Sequence, residues 1–157
     1  MNKDLPLLGQ GFYWQDLKVG QQFRTYRRTV TETDLVNFIN ATGMLEALFT
    51  DAEYSGQFGA IKGRLVPAAL TYGFIEGMLF QTMIQGTGLA MLELTKKALK
   101  PVFVGDSVWA TVEVTDIRPT SKDNRAIVGS KVDVYNQDGV AVLTYQIVRM
   151  LAGRPGA

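Results

Sequence analysis

The stretch from Arg64 to Phe80, RLVPAALTYGFIEGMLF, constrains the fold more than any other part of the chain. Pro67 fixes φ and lacks an N–H, which suits the first turn of a helix. The residues after it are apolar nearly all the way round rather than along one stripe, so the spacing predicts a helix covered on most sides by something else. Taken from Val66 to about Gln85 it would be some ~30 Å long at ~1.5 Å per residue. Gly73 and Gly77, four apart, weaken that helix but would let another backbone come close. A sheet curled around it would supply the cover.

The downstream sequence provides such a sheet. Val108, Ala110, Val112 and Val114 alternate with Trp109, Thr111, Glu113 and Thr115, and Ala126 to Val134 alternate in the same way. Asn136-Gln137-Asp138-Gly139 is a hairpin turn signal, with Gly139 able to take φ > 0, and Val140 to Leu151 is the returning strand. Gly88 to Leu99 makes a further strand ending at Pro101, and Gly105-Asp106 marks the next turn.

Upstream, Gln22 to Thr29 reads as a first strand after a turn at Gly20. Thr31 followed by Asp34 opens an amphipathic helix over Glu32 to Ala41, with Leu35, Phe38 and Ile39 on one face and Gly43 ending it. From Met44 to Arg64 the chain is too rich in glycine for long regular structure, apart from a turn of helix near Ala52 to Ser55. One antiparallel sheet around one long helix, an α+β domain spanning residues 1–157, satisfies this order.

Composition then narrows the chemistry. The chain has no cysteine and no histidine, which removes disulfides, thiolate nucleophiles, Cys-based zinc sites and the usual acid/base group near neutral pH. Proton transfer would have to use Asp, Glu, Tyr, Lys or water. The net charge is +1 and the 16 basic residues are scattered, so no footprint for nucleic acid is present. The central apolar stretch carries Tyr72, Glu76, Gln81 and two glycines, which argues against a membrane span, and the opening residues lack a signal-peptide pattern. A cytoplasmic protein is expected.

Several segments together carry a resemblance: Leu17-Lys18-Val19-Gly20-Gln21, the helix Thr31 to Gly43, Phe58-Gly59, Gly63-Arg64-Leu65, Pro101-Val102 with Gly105-Asp106, and Val134 to Gly139. In that order the chain resembles the MaoC-like dehydratases, the (R)-specific enoyl-CoA hydratase branch of the hot-dog fold. The resemblance implies an acyl-CoA or acyl carrier thioester as substrate or ligand, with no metal and no resident cofactor. In the family, a loop of form G-D-x-N-P-x-H-x-D holds a water between its first Asp and its His for addition across a 2-enoyl thioester. Here that frame reads Gly43 to Asp51, with Met44 at the Asp position and Phe49 at the His position. Neither side chain transfers a proton, and each lost group is worth about 10²–10⁴ in rate. The family's A-H-G at the start of the central helix reads Val66-Pro67-Ala68 here, so the resemblance makes the Ala68 N–H the receiver of the thioester carbonyl oxygen.

The candidate carboxylates are Glu46 and Asp51 in the loop frame and Glu76 within the helix. Glu46 is a substitute base or a solvated loop residue, and Asp51 a base or a loop cap. Glu76 shares a helical row with Ala68 and Tyr72, which makes it a candidate acid or base on the oxyanion side; the alternative is pairing with an arginine or a backbone group at a subunit interface. Met44, Phe49, Arg64, Ala68 and Tyr72 are the substrate-binding candidates. Arg64 would meet a CoA phosphate or serve the turn before the helix, and Met78 and Met83 join Met44 and Phe49 as acyl-pocket or core residues. A homodimer is expected, because one sheet around one helix leaves an edge and a helix flank to cover. The rival readings are a non-catalytic acyl-CoA-binding subunit of a heteromeric hydratase, whose partner brings the Asp and His, and a hot-dog thioesterase.

Overall fold

The computed structural model describes Leu5, residues 7–54, Ile61 and residues 63–156. Phe58-Gly59 and Ser55 lie outside the described residues. After a 3-10 turn at Trp14–Asp16 come β1 (Gln22–Arg24), β2 (Arg28–Thr29), α1 (Glu32–Thr42), α2 (Ala47–Thr50), β3 (Leu65–Val66) and α3 (Ala68–Gln81). Five strands follow: β4 (Gly88–Ala98), β5 (Val102–Phe103), β6 (Ser107–Pro119), β7 (Arg125–Tyr135) and β8 (Ala141–Ala152). The main sheet runs β1-β6-β7-β8-β4 with β2 also on β6, and β3 pairs with β5 in a separate ladder. Every pairing is antiparallel.

The alternation in β6 to β8 puts one row of each strand inward. Val108, Val112, Val132, Val134, Tyr145 and Ile147 meet Leu70, Phe74, Ile75 and Leu79 of α3 in the core. The hairpin at Asn136 closes as its sequence requires: the Asn136 side chain accepts from the N–H groups of Asp138 and Val140, and Gly139 takes φ 75°.

Three expectations are corrected. The first strand is interrupted at Thr25, whose hydroxyl accepts the Ala110 N–H in place of a backbone carbonyl, so β1 and β2 grip β6 on either side of the break. The central helix begins at Ala68 rather than Val66, because Val66 is spent on pairing with Val102 and Pro67, at ψ 135°, is the cap. It ends at Gln81, where the Thr82 hydroxyl donates to the Met78 carbonyl, which leaves 14 residues or about 21 Å. In the glycine-rich region a further helical turn, not expected, forms at Ala47–Thr50, since Glu46 accepts the Leu48 N–H and starts it there, while near the expected turn Tyr54 is helical and Ser55 lies outside the described residues.

The helix is not covered all round by its own chain. Gly73 is exposed, and a methyl group at Gly73 or Gly77 would meet nothing within 4 Å. Among the described residues no backbone outside the helix itself comes within 4 Å of a methyl group at either position. Strand β4 is equally open: ten of its eleven residues are exposed, and Leu89, Met91 and Leu92 stand out of an unpaired edge.

Candidate functional site

The first turn of α3 faces a cavity of about 320 Å³. Its walls come from Phe49 on α2, Ile61, Val66 and Val102 of the short ladder, and Leu99 and Val142 from the ends of β4 and β8. Proline gives the helix no side-chain cap. The Pro67 carbonyl accepts the N–H groups of Leu70 and Thr71, while those of Ala68 and Ala69, at the first two helical positions, have no acceptor among the described residues. Of these two donors at the positive end of a 14-residue helix, Ala68 lines the largely apolar chamber and Ala69 follows it in the same turn, an arrangement that suits a carbonyl oxygen attached to an apolar chain.

Phe49 reaches this chamber because α2 is tied to both neighbouring segments. Arg64 Nη1 donates to the Phe49 carbonyl, while Nε and Nη2 of the same guanidinium clasp Glu32 at 2.9 and 2.7 Å. The donors that were to meet a phosphate are thus engaged with α1 and α2. Met44 follows the left-handed Gly43 (φ 71°), is 40% exposed, and does not line the chamber. Glu46 caps α2, and Asp51 accepts the Glu53 N–H at 2.9 Å, so both flanking carboxylates serve loop backbone.

Glu76 lies elsewhere. Its carboxylate accepts Arg149 Nη2 at 2.7 and 2.5 Å and the Tyr145 hydroxyl at 2.7 Å, with Glu76 and Arg149 each 6% exposed. Tyr72 packs edge-on to Tyr145 at 5.2 Å, and Lys96 Nζ sits 4.9 Å above the Tyr72 ring. Burial, and then the Glu76 charge, raise the Tyr72 hydroxyl above its ordinary value. The same causes, with the hydrogen bond to Glu76, push Tyr145 far higher. Tyr72, Glu76 and Arg149 border a second cavity of about 410 Å³ that Ala68 does not reach. The shared helical row predicted from Ala68, Tyr72 and Glu76 therefore divides between two chambers, because Arg149 draws the carboxylate toward β8. Met78 and Met83 line a third cavity, of about 430 Å³, beside Phe12 and Phe23 near the other end of α3.

Three participants escaped the sequence reading. Arg149 and Tyr145 occupy inward positions of β8 between Leu143, Ile147 and Leu151, and an inward arginine in an apolar alternation was the available signal that Glu76 had a partner. Thr71, inside the apolar helix, also lines the first chamber, and only its hydroxyl sets it apart from its neighbours.

A model of the MaoC like domain matches residues 16–136. The chain belongs to the MaoC-like family. It is 31% identical over 110 residues, 70% of this chain and 74% of the relative, to the (R)-specific enoyl-CoA hydratase of Rhodospirillum rubrum. The R-hydratase of Pseudomonas aeruginosa superposes with a TM-score of 0.75 at 26% identity, covering 92% of this MaoC-like chain and 88% of its own. A Mycobacterium tuberculosis protein described as having a double hot-dog fold superposes with a TM-score of 0.84 at 20% identity. That match covers 94% of this chain and 46% of the other. The sheet wrapped on α3 is thus a hot-dog fold, and the MaoC-like chain corresponds to about half of the double one.

Proposed function

We propose that this MaoC-like protein binds an acyl thioester, acyl-CoA or its acyl-carrier equivalent, with the thioester carbonyl on the Ala68 and Ala69 amides and the acyl chain in the chamber walled by Phe49. The observation that carries this is the pair of N–H groups at the start of α3 that have no acceptor among the described residues, with Ala68 lining the largely apolar chamber. The hydratase relatives support the substrate class and the ancestry of the reaction. Arg64 holds the Phe49 segment in place. Acyl-CoA is ligand or substrate here, without metal or resident cofactor, and a cytoplasmic setting goes with it.

Whether the chain hydrates on its own turns on its acid/base groups. Among the described residues lining the chamber only Lys100 is ionisable. Glu46 and Asp51 already accept backbone N–H groups, and Glu76 is neutralised by Arg149. These pairings favour an acyl-CoA-binding subunit, with a second hot-dog chain bringing the proton-transfer pair, over a self-sufficient hydratase/dehydratase in which one of the three carboxylates manages the water. The open β4 edge and the bare Gly73–Gly77 flank of α3 support association with a second hot-dog unit, another copy of this chain or a relative.

Incubating the purified protein with a panel of 2-enoyl-CoA thioesters, while following enoyl absorbance and free thiol, separates the possibilities. Thioester binding with loss of enoyl absorbance only after an intact partner is added supports the subunit reading. Enoyl turnover by the lone chain supports the hydratase, and thiol release the thioesterase. Absence of any thioester binding would refute the proposal.

A further inference from the structure

The chamber at the start of α3 contains one polar side chain that nothing in the fold satisfies. Thr71 is 1% exposed, and its hydroxyl has no hydrogen-bond partner among the described residues. Thr87 is likewise buried without a partner but does not line the chamber, whereas exposed helical threonines behave differently. The hydroxyls of Thr42, Thr50 and Thr82 each donate to the carbonyl four residues earlier, at 2.7, 3.1 and 2.7 Å. Thr71 has that carbonyl available in Pro67, which accepts the Thr71 N–H at 3.3 Å, yet its hydroxyl does not bond it. The remaining walls are mostly aliphatic, among them Leu65, Val66, Val102, Val142 and Leu143. A buried hydroxyl left without a partner is costly, so an arriving ligand that supplies one gains more from it than it would from an exposed hydroxyl. Threonine in a helix also divides between two χ1 positions, which exchange its methyl and hydroxyl groups and allow the oxygen to turn toward a ligand.

The position suggests which ligand atom would pair with it. Thr71 lies three residues beyond Ala68, about 4.5 Å along the axis at ~1.5 Å per residue. That is comparable to the distance between the carbonyl oxygen and the hydroxyl oxygen of a 3-hydroxyacyl group. We propose that Thr71 is a specificity-determining contact of this chamber. Its hydroxyl pairs with the 3-hydroxyl of a 3-hydroxyacyl thioester whose carbonyl oxygen lies on the Ala68 and Ala69 amides, so such thioesters bind in preference to the 2-enoyl or saturated thioester of equal length. This rests on the acyl-thioester reading above and adds to it the group carried at the third carbon of the bound chain. A site built around a buried hydroxyl discriminates against an analogue that lacks the matching group far more sharply than an apolar pocket discriminates by size.

Calorimetric titration with 3-hydroxybutyryl-CoA, crotonyl-CoA and butyryl-CoA tests it. The wild type is expected to bind the hydroxylated ligand roughly tenfold more tightly than the other two. Thr71→Val, of the same shape, should lose that preference while holding butyryl-CoA as before, and Thr71→Ser should keep it. Without ligand, Thr71→Val should melt at or above the wild-type temperature, because it removes an unsatisfied group. Should Thr71→Val not fold, Thr71→Ala removes the same hydroxyl and needs no extra room, so it carries the same comparison. Equal wild-type affinity for all three ligands would overturn the inference and leave thioester binding standing. A preference that survives in Thr71→Val, or a marked fall in its melting temperature, would overturn it too. Failure to bind any of the three would overturn both.

Discussion

Replacing Arg149 by Met should be the most damaging single change outside the core aliphatics. Glu76 and Arg149 are each 6% exposed, and the guanidinium is joined to the carboxylate by contacts of 2.7 and 2.5 Å. Removing it leaves a buried carboxylate with only the Tyr145 hydroxyl, and breaking such a pair costs about 3–5 kcal/mol. For a chain of 157 residues each kcal/mol is worth about 2–4 °C, so Arg149→Met should lower the melting temperature by roughly 6–20 °C. Glu76→Gln should cost a similar amount by stranding the guanidinium. The double variant Glu76→Gln/Arg149→Met leaves no buried charge and keeps an acceptor for Tyr145, so it should lie within about 1–2 kcal/mol of wild type. Denaturant unfolding followed by fluorescence of the two tryptophans gives all four corners of the cycle. If Arg149→Met costs less than about 1 kcal/mol, or the two single losses simply add in the double variant, the reasoning about this pair is wrong.

Other consequences follow from the same geometry. With a partner chain supplying the proton-transfer pair, Glu76→Gln should leave crotonyl-CoA turnover per folded molecule unchanged because Glu76 is structural, and a loss of turnover without loss of stability would return it to the mechanism. Asp34 receives hydrogen bonds from the Thr31 hydroxyl and backbone and faces Arg28, and these hold its carboxyl below the ordinary 3.8. A lowered folded-state value stabilises above the ordinary one and is lost as pH falls through it. Asp34→Ala should therefore cost about 1 kcal/mol near neutral pH, and the difference from wild type should vanish in acid denaturation scans. Tyr72 and Tyr145 carry raised values, so the stability that their neutral forms contribute is present below the ordinary tyrosine range and lost as pH rises through the folded-state values. In alkaline titration followed by tyrosinate absorbance, Tyr72 and Tyr145 should ionise above the ordinary tyrosine range. Gly77→Phe should leave the fold intact, since among the described residues nothing beyond its own helix backbone stands within 4 Å of its added Cβ, while reducing the mass seen by light scattering if that flank meets a second hot-dog chain.

Much of this architecture is legible in residue order. The alternation of β6 to β8, the Asn136 hairpin and the Thr31–Asp34 capping box depend on neighbours close in sequence, and the structure reproduces them. The misjudged features involve distant partners. Val66 reads as helical until Val102, 36 residues later, claims its backbone, and Thr25 reads as strand until its hydroxyl replaces a carbonyl opposite Ala110. The site divides along the same line. Ala68 and Phe49 share a chamber as the motif frame implies, but helical spacing alone cannot show that Arg149 draws Glu76 away from them. An unsatisfied hydroxyl such as that of Thr71 is invisible in sequence, because it is defined by what surrounds it.

Amide proton–nitrogen correlation spectra recorded during titration with butyryl-CoA would test the thioester cradle most directly. Large shifts of the Ala68 and Ala69 resonances, with CoA alone leaving them in place, are the expected outcome. Shifts confined to residues around Arg149, or none near the start of α3, would contradict it.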